Sequence, residues 1–265
     1  LLVTLGGVTL FCCLRWGLRR WRNRRNKLFV ETLFRRGLIR ERALLHAMLE
    51  TDRKHFAGTA DLDDVYATDP FTALSIGCNA TISAADVASI GFDIIAQKLG
   101  RESSKEMKVL DIGCGSGYST AILSRLVGKN GLVIGIDHIP ELVSLAQRNI
   151  EKCDPNLLHN IKLLVGDGRS GACKYSPFDA IYSAAAAPED SLGELVKQLK
   201  PGGRLLTPVG PRNGLHTLIQ VDMPLDDGPP TTTVLGPVRF VPLCDPSSQL
   251  SGEAALKLAF SAQYH

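Results

Sequence analysis

The sequence lacks the residue patterns that hold structural metals and disulfide frameworks. Its seven cysteines are odd in number and scattered from Cys12 to Cys244, and no Cys-x-x-Cys pair occurs. Structural zinc sites need closely spaced thiolates and imidazoles, so no metal site is expected. Disulfide frameworks are typical of small secreted domains, whereas this chain has 265 residues. We therefore expect reduced thiols in a cytoplasmic protein.

A net positive charge is confined to one short segment. Between Arg15 and Lys27 lie seven basic residues and no acid. The rest of the chain carries 23 Lys and Arg against 27 Asp and Glu. A mildly acidic body argues against a broad nucleic-acid-binding face, and no nucleic-acid partner is expected.

The chain also has no uncharged run of the usual membrane-spanning length at its start. Residues 1–14 (LLVTLGGVTLFCCL) carry no charge, but a spanning helix needs about 20 apolar residues. The basic segment follows this run, the reverse of the order in a cleavable signal peptide. Two interpretations of residues 1–27 stay open. One is a membrane anchor that leaves the remainder in the cytoplasm; the other is a truncated or wrongly predicted leader, because no initiating Met is present.

From residue 28 onward the chain has neither an internal repeat nor a linker long enough to divide it, which predicts one domain over 28–265. Residues 28–100 show mainly helical periodicity. Residues 101–250 alternate short apolar strands with helices, which predicts an α/β fold with a parallel sheet covered on both faces. The segments HTLIQVDM and TTTVLGPVRFVPL predict an antiparallel pair that extends this sheet.

A glycine-rich loop, VLDIGCGSGYST at 109–120, lies between a predicted strand and a predicted helix. Its glycines allow backbone to come close to a ligand; they are Gly113, Gly115 and Gly117. The dinucleotide fingerprint Gly-x-Gly-x-x-Gly needs a further glycine at 118, where this chain has Tyr118. The loop therefore favours S-adenosylmethionine over NAD.

Three acids follow predicted strands, namely Asp111, Asp137 and Asp167. Ligands of open parallel sheets bind at the carboxyl ends of strands, and an acid at a second strand's end suits a ribose diol. Each acid also has a structural interpretation. Asp111 and Asp167 are compatible with ordinary turns, and Asp137 with a cap on the helix that begins near Pro140.

The stretch GCNATISAAD, residues 77–86, contains two hydroxyl side chains, Thr81 and Ser83, but no histidine or lysine that could activate them. One interpretation is a cap on the following helix. The other is a site whose chemistry needs no base.

Several stretches of the chain resemble one enzyme family. In order they are DRKHFA, SIGCNATISA, VLDIGCGSGYSTAIL, VIGIDHIPELV, VGDGRSG, FDAI, AAAAP, LKPGGRLLTPVGP and VRFVPL. Together they resemble the protein-L-isoaspartate (D-aspartate) O-methyltransferases, from about Leu28 to Gln249. ATIS and VPL are particular to this family, whereas the glycine loop belongs to methyltransferases generally.

The resemblance implies a class I methyltransferase (Rossmann-like) fold with S-adenosylmethionine as methyl donor. It also implies isoaspartyl-containing proteins and peptides as substrates, repair through a succinimide, and a monomer. Residues 28–100 then contain the substrate loop, and 101–250 the cofactor-binding core.

The resemblance carries site residues onto this chain one by one. Ser83 matches the family's active-site serine, with Thr81 beside it, and Ala80 to Ser83, including Ile82, line the cofactor and substrate cleft. Asp137 matches the ribose acid, and Asp167 with Gly168 the adenine contacts. The remaining candidates for cofactor binding are Asp111, Gly113, Gly115, Ser116, Gly117, His138 and Gln249.

The chain departs from the family pattern at several positions. Animal members have a proline and two histidines soon after the serine, where this chain has residues 85–88 (ADVA). A histidine on the fourth strand is replaced by Tyr182, and the threonine after VPL by Cys244. Asp86 would repel an anionic substrate if it faced the cleft.

Two other functions stay open beside isoaspartyl methylation. One is a catalytically weak relative that recognises proteins as an adaptor, and the other is a methyltransferase for a different carboxylate. Adaptor relatives usually carry an added C-terminal module, and this sequence ends about 20 residues after VPL. We therefore expect the enzyme.

Overall fold

The computed structural model describes residues 24–100 and 106–251, so most of the apolar and basic leader lies outside the described residues. The α-helices of the described part are α1 (Arg24–Arg35), α2 (Arg42–Glu50), α3 (Leu62–Val65), α4 (Ala85–Gly100), α5 (Tyr118–Val127), α6 (Pro140–Cys153), α7 (Leu192–Val196) and α8 (Pro246–Leu250). The strands are β1 (Leu74–Gly77), β2 (Ala80–Ile82), β3 (Lys108–Ile112), β4 (Leu132–Asp137), β5 (Ile161–Val165), β6 (Phe178–Ser183), β7 (Leu199–Val209), β8 (His216–Asp222) and β9 (Thr231–Val238).

A seven-stranded sheet forms the centre, in the order β5-β4-β3-β6-β7-β8-β9. Strands β3 to β7 are parallel, and β8 and β9 add an antiparallel pair at one edge. The order reverses at β3, which lies between β4 and β6. The expected α/β class, with its antiparallel C-terminal pair, is confirmed.

Helices cover both faces of the sheet because adjacent residues of a strand point to opposite sides. On β3, Val109 belongs to a core that also contains Phe29 of α1 and Phe92 of α4. The next residue, Leu110, belongs to the opposite core, together with Leu195 of α7. This explains why β3 contains consecutive apolar residues rather than an alternating pattern.

A short hairpin, β1–β2, forms a separate two-stranded sheet. Its turn residues, Cys78 and Asn79, both have positive φ, at 51° and 53°. Two positive φ values are required by the tight type I′ hairpin turn, which asparagine tolerates well. The sequence had not indicated this hairpin, because strands of four and three residues are too short for a period-2 pattern.

Helix α1 is packed against α2 from its first turn. Asn26 is fully buried, and its Nδ2 donates to the carbonyl of Met48 at 3.0 Å. Part of the basic segment therefore lies in a packed helix. Within residues 24–100 and 106–251, every helix falls short of the length and apolar character that crossing a membrane requires.

Candidate active site

A cleft lies at the carboxyl ends of the central strands and contains two adjoining pockets. The acidic pocket, about 540 Å³ in volume, is lined by Asp137, Asp167 and the segment 241–244. The hydroxyl pocket, about 360 Å³, is lined by Ser83, Tyr118 and Tyr182 among others. The residues common to both pockets are Thr81, Gly113, Gly115 and Ala184.

Most of the candidate residues are brought together in this cleft. They are Ala80, Thr81, Ile82, Ser83, Gly113, Gly115, Ser116, Asp137, His138, Asp167, Gly168 and Gln249. Asp111 and Gly117 are absent from the cleft lining. Gly117 instead begins α5 with φ 88°, and an added Cβ would come within 3.1 Å of Ala146 on α6.

The glycine loop is held at the end of β4. The backbone N–H groups of Gly113 and Cys114 both donate to the carbonyl of Ile136, at 2.9 and 3.1 Å. Gly113 and Gly115 have φ of 74° and 50°, in the left-handed region that glycine adopts readily. The loop therefore presents bare backbone to both pockets.

Asp137 fixes this loop from the neighbouring strand end. Its Oδ2 accepts from the Gly115 N–H at 3.0 Å, and its Oδ1 accepts from the Ile139 N–H at 3.1 Å. Burial raises the pKa of Asp137, although these backbone N–H groups and His138 oppose the shift. The carboxylate thus supports the start of α6, as in its structural interpretation, and also lines the acidic pocket.

Asp111 lies beneath the loop and is fully buried. Its Oδ2 accepts from Ser119 Oγ at 2.8 Å and from Thr120 Oγ1 at 2.6 Å. Its Oδ1 has no hydrogen-bond partner in the described part of the chain. Burial raises the pKa of Asp111 to about 6, while Thr120 and Ser119 oppose this shift. A buried oxygen without a donor is costly, and it adds an unbalanced negative group under the cleft.

Asp167 and Gly168 form the far wall of the acidic pocket. Arg169 donates to both carboxylate oxygens of Asp167 and also to Asp245, which precedes α8, at 2.6 Å. Hydrogen bonding from Arg169 lowers the pKa of Asp167. A Cβ on Gly168 would come within 2.5 Å of Ile112 Cγ2, so this wall has no room for a side chain.

Gln249 closes the acidic pocket by contacting two other segments. Its Nε2 donates to the Cys78 carbonyl at 2.9 Å, and its Oε1 accepts from His138 Nε2 at 2.6 Å. Asn79 Nδ2 in turn donates to the Gln249 carbonyl at 2.8 Å. We call these three hydrogen bonds the clasp. They join α8, the hairpin turn and the end of β4.

The hydroxyl pocket contains Thr81 and Ser83, and neither hydroxyl bonds to a described residue. No hydrogen bond links either side chain to the first turn of α4, where the cap interpretation requires one. The Ser83 backbone is nevertheless fixed, because its carbonyl accepts from Arg53 Nη2 at 2.8 Å. Both hydroxyls are therefore available to a ligand.

Three aromatic side chains also line the hydroxyl pocket: Phe92, Tyr118 and Tyr182. Phe92 lies 5.2 Å from the Tyr182 ring and 6.2 Å from the Tyr118 ring, between centroids. In the sequence, Tyr118 was notable only because it occupies the position where a dinucleotide fingerprint requires glycine, and Phe92 was not among the candidate residues. No local pattern identifies them as site residues, because three separate elements bring the rings together.

Asp86 was expected to repel an anionic substrate if it faced the cleft. Its Oδ1 accepts from the Val87 backbone N–H at 2.7 Å, in the first turn of α4. It is not among the residues that line either pocket. Tyr182 and Cys244, the other departures from the family pattern, do line the cleft.

The polar groups of the acidic pocket fit a positively charged nucleoside such as S-adenosylmethionine. Asp137 offers acceptor oxygens at a strand end, where a ribose diol binds in this type of sheet. The unpartnered oxygen of Asp111 adds negative charge that favours a cationic ligand. Gly168 and Leu243 line the same pocket and add no charge to it.

Comparison with known proteins supports this assignment. The family model for protein-L-isoaspartate(D-aspartate) O-methyltransferase matches residues 23–248. Protein-L-isoaspartate O-methyltransferase 1 of Arabidopsis thaliana is 38% identical over 232 residues, which cover 86% of this chain and 95% of that protein. The Caenorhabditis elegans enzyme of the same name is 32% identical over 226 residues, covering 84% and 94%.

Solved structures show the same fold. A Plasmodium falciparum structure, described as a protein-L-isoaspartate O-methyltransferase in complex with S-adenosyl-L-homocysteine, has a TM-score of 0.70 and 25% identity. The match covers 83% of this chain and 98% of that one. A second protein-L-isoaspartate O-methyltransferase structure has a TM-score of 0.69 and 24% identity, covering 83% and 66%.

Proposed function

The chain belongs to the protein-L-isoaspartate(D-aspartate) O-methyltransferase family, and on this premise we propose that it methylates the free carboxylate of L-isoaspartyl and D-aspartyl residues in damaged proteins. One observation carries the proposal. Among the described residues that line the hydroxyl pocket, none is a histidine, a lysine or a carboxylate. The thiol there, Cys114, is no base either, because burial raises its pKa well above the usual value.

A pocket without a base suits this reaction. A substrate carboxylate is already ionised at neutral pH, so no proton has to be removed before it acts as a nucleophile. S-adenosylmethionine, when bound, supplies an electrophilic methyl group. The work of the protein is to align the two reactants and to exclude water, and alignment alone contributes up to roughly 7–11 kcal/mol in ideal cases.

We assign Ser83 and Thr81 as the catalytic residues that hold the substrate carboxylate through their free hydroxyls. Asp137 receives the ribose of the cofactor, and Asp167 with Gly168 faces the adenine. Gln249 closes this end of the cleft. Asp111 acts from beneath, through Ser119 and Thr120, which shape the start of α5.

The remaining features of the proposal concern the whole protein. Its partners are isoaspartyl-containing proteins and peptides, with no nucleic acid among them. We propose a cytoplasmic monomer with one domain over residues 28–265, in which residues 1–27 alone account for any membrane association. The mildly acidic body and the unbridged cysteines at 78, 114, 153, 173 and 244 are consistent with this setting.

The test is methyl transfer from tritiated S-adenosylmethionine to an isoaspartyl peptide, with the aspartyl peptide of the same sequence as control. We expect label on the isoaspartyl peptide alone, released as methanol by mild base because it is an ester. Cofactor binding by calorimetry without such label would contradict the proposal and favour the adaptor function.

Membrane association through residues 1–27 needs a separate test. Cells expressing the chain with and without residues 1–27 are fractionated. Anchoring predicts that only the longer form sediments with membranes, and an identical soluble distribution of both forms would contradict it.

A further inference from the structure

Arg53 is a buried cation without a counter-ion. Its side chain is only 1% exposed. Nη2 donates to the Ser83 carbonyl, while Nε and Nη1 have no hydrogen-bond partner in the described part of the chain. The guanidinium lies over the ring of Tyr118, with Cζ 5.2 Å from the centroid.

The acids near Arg53 in the chain are engaged elsewhere. Asp52 accepts from the Tyr66 hydroxyl at 2.6 Å and pairs with Lys54 at 2.8 Å. Arg125 forms ion pairs with Glu50 and with Asp154, each at 3.0 Å. Arg53 thus forms no ion pair with any residue described by the structure.

A buried guanidinium keeps its charge. Burial lowers the pKa of Arg53, whereas its contact with Tyr118 raises it. Arginine starts from such a high value that it stays protonated in proteins. An uncompensated buried charge is strongly unfavourable, so retaining one beside a pocket indicates an anion that pairs with it when bound.

The position of the charge identifies the anion. Ser83 and Tyr118 both contact Arg53 and both line the hydroxyl pocket. Two carboxylates line the acidic pocket, Asp137 and Asp167. Asp167 is paired with Arg169, whereas Asp137 forms no ion pair with Lys or Arg in the described part of the chain. The cleft is therefore polarised, negative towards the cofactor and positive behind the substrate.

Resting on the function proposed above, we propose that Arg53 is a positioning residue that makes the hydroxyl pocket select an ionised carboxylate over its neutral analogues. Arg53 does not line the pocket itself; it lies behind Ser83 and Tyr118, which do. Coulomb attraction in a poorly screened interior still operates at that range, and the hydrogen bond to the Ser83 carbonyl fixes the residue whose hydroxyl meets the substrate.

The test compares two peptides of one sequence, which carry at the isoaspartyl position either the free carboxylate or the corresponding carboxamide. Their dissociation constants are measured by calorimetry with S-adenosylhomocysteine present. We expect the unmodified protein to prefer the carboxylate by about tenfold or more, as for an interaction with a charged group. If the unmodified protein prefers the carboxylate peptide by less than twofold, this measurement alone overturns the proposal.

Two variants separate charge from structure. Arg53→Lys keeps the cation, whereas Arg53→Gln keeps a donor for the Ser83 carbonyl and removes the charge. We expect the lysine variant to retain most of the carboxylate preference and the glutamine variant to lose it, while both bind S-adenosylhomocysteine within about threefold of the unmodified protein. A folded glutamine variant with the full preference would overturn the proposal.

Arg125→Gln is the matched control, because Arg125 is a largely buried cation that makes ion pairs outside the cleft. We expect it to lower stability and leave the carboxylate preference unchanged. Methylation by the unmodified protein is measured in parallel. Absence of methyl transfer would count against the proposed function, whereas transfer with a preference unaffected by Arg53→Gln would count against the role of Arg53.

Discussion

The two carboxylates that line the acidic pocket are already hydrogen-bonded, whereas Thr81 and Ser83 in the hydroxyl pocket have no hydrogen-bond partner among the described residues. Asp137 holds two backbone N–H groups and Asp167 holds Arg169, so the geometry of that side exists before any ligand arrives. Thr81 and Ser83 have no such partners. The acidic pocket is therefore preorganised. Under the proposed function, we expect the substrate carboxylate to accept the missing hydrogen bonds and to supply the missing negative charge in the hydroxyl pocket.

Removing the charge of Asp137 should have the largest effect on the acidic pocket. We expect Asp137→Asn to weaken binding of S-adenosylhomocysteine by about 100-fold, because hydrogen bonds to a charged acceptor contribute roughly 1.5–3 kcal/mol each. Calorimetry measures this. Asp167→Asn is the control, with an expected loss of about tenfold or less since Arg169 already occupies that carboxylate. Equal losses would contradict the difference between the two acids.

Ser83→Ala tests the other pocket. We expect kcat for an isoaspartyl peptide to fall by about 10- to 100-fold, in the range of a lost oriented donor, while S-adenosylhomocysteine affinity stays within about threefold. The control is Ser75→Ala, on the partner strand opposite Thr81 and outside the pocket lining, which should retain full activity. A parallel loss of cofactor affinity in Ser83→Ala would indicate a structural role.

Asp111 makes the stability of the folded protein depend on pH. Burial raises the pKa of Asp111 from its ordinary value of 3.8 to about 6 in the folded state, so the folded state binds the proton more tightly than the unfolded state. Stability of the cofactor-free protein from this residue is present below about pH 4 and is lost as pH rises through 6, by roughly 2–3 kcal/mol.

The measurement is urea denaturation of the protein and of Asp111→Asn at pH 4.5 and pH 7.5. The variant cannot ionise, so its stability should fall less between the two pH values. Parallel changes in both proteins would contradict the raised pKa.

The smallest effect is expected from Gly168→Ala. The added Cβ meets Ile112 Cγ2 at 2.5 Å, and Ile112 lies fully buried in β3, so the clash should lower the free energy of unfolding by about 1–3 kcal/mol. Gly193→Ala in α7 is the matched control, with nothing within 4 Å of the added Cβ. It should be neutral or stabilising by up to about 1 kcal/mol. Thermal denaturation of both variants checks this.

The same contrast explains how much could be predicted from the sequence. The sheet and the acidic pocket follow from local signals, because apolar runs ending in Asp or Gly mark strand ends, and parallel strands bring those ends together. The hydroxyl pocket depends on contacts between distant segments. Nothing near Arg53 in the sequence indicates that it is buried against Ser83, thirty positions away.

Local signals do not give the direction of single side chains. Asp111 and Gly117 belong to the glycine loop by spacing, but the loop turns upward between them, leaving one beneath the pocket and the other against α6. Asp86 is close to Ser83 in sequence, but it engages the adjacent backbone N–H. Spacing predicts which loop reaches the ligand, whereas the direction of each side chain depends on tertiary packing.

The clasp has a consequence for the order of events in turnover. It joins residues 170 positions apart, and two of its members, His138 and Gln249, line the acidic pocket but not the hydroxyl pocket. If the clasp restricts access to the acidic pocket alone, we expect ordered kinetics in which the methyl donor enters first and its demethylated product leaves last. Product-inhibition patterns check this, and Gln249→Ala should speed exchange of S-adenosylhomocysteine several-fold in stopped-flow experiments. Each opening of the clasp would then mark the end of one catalytic cycle.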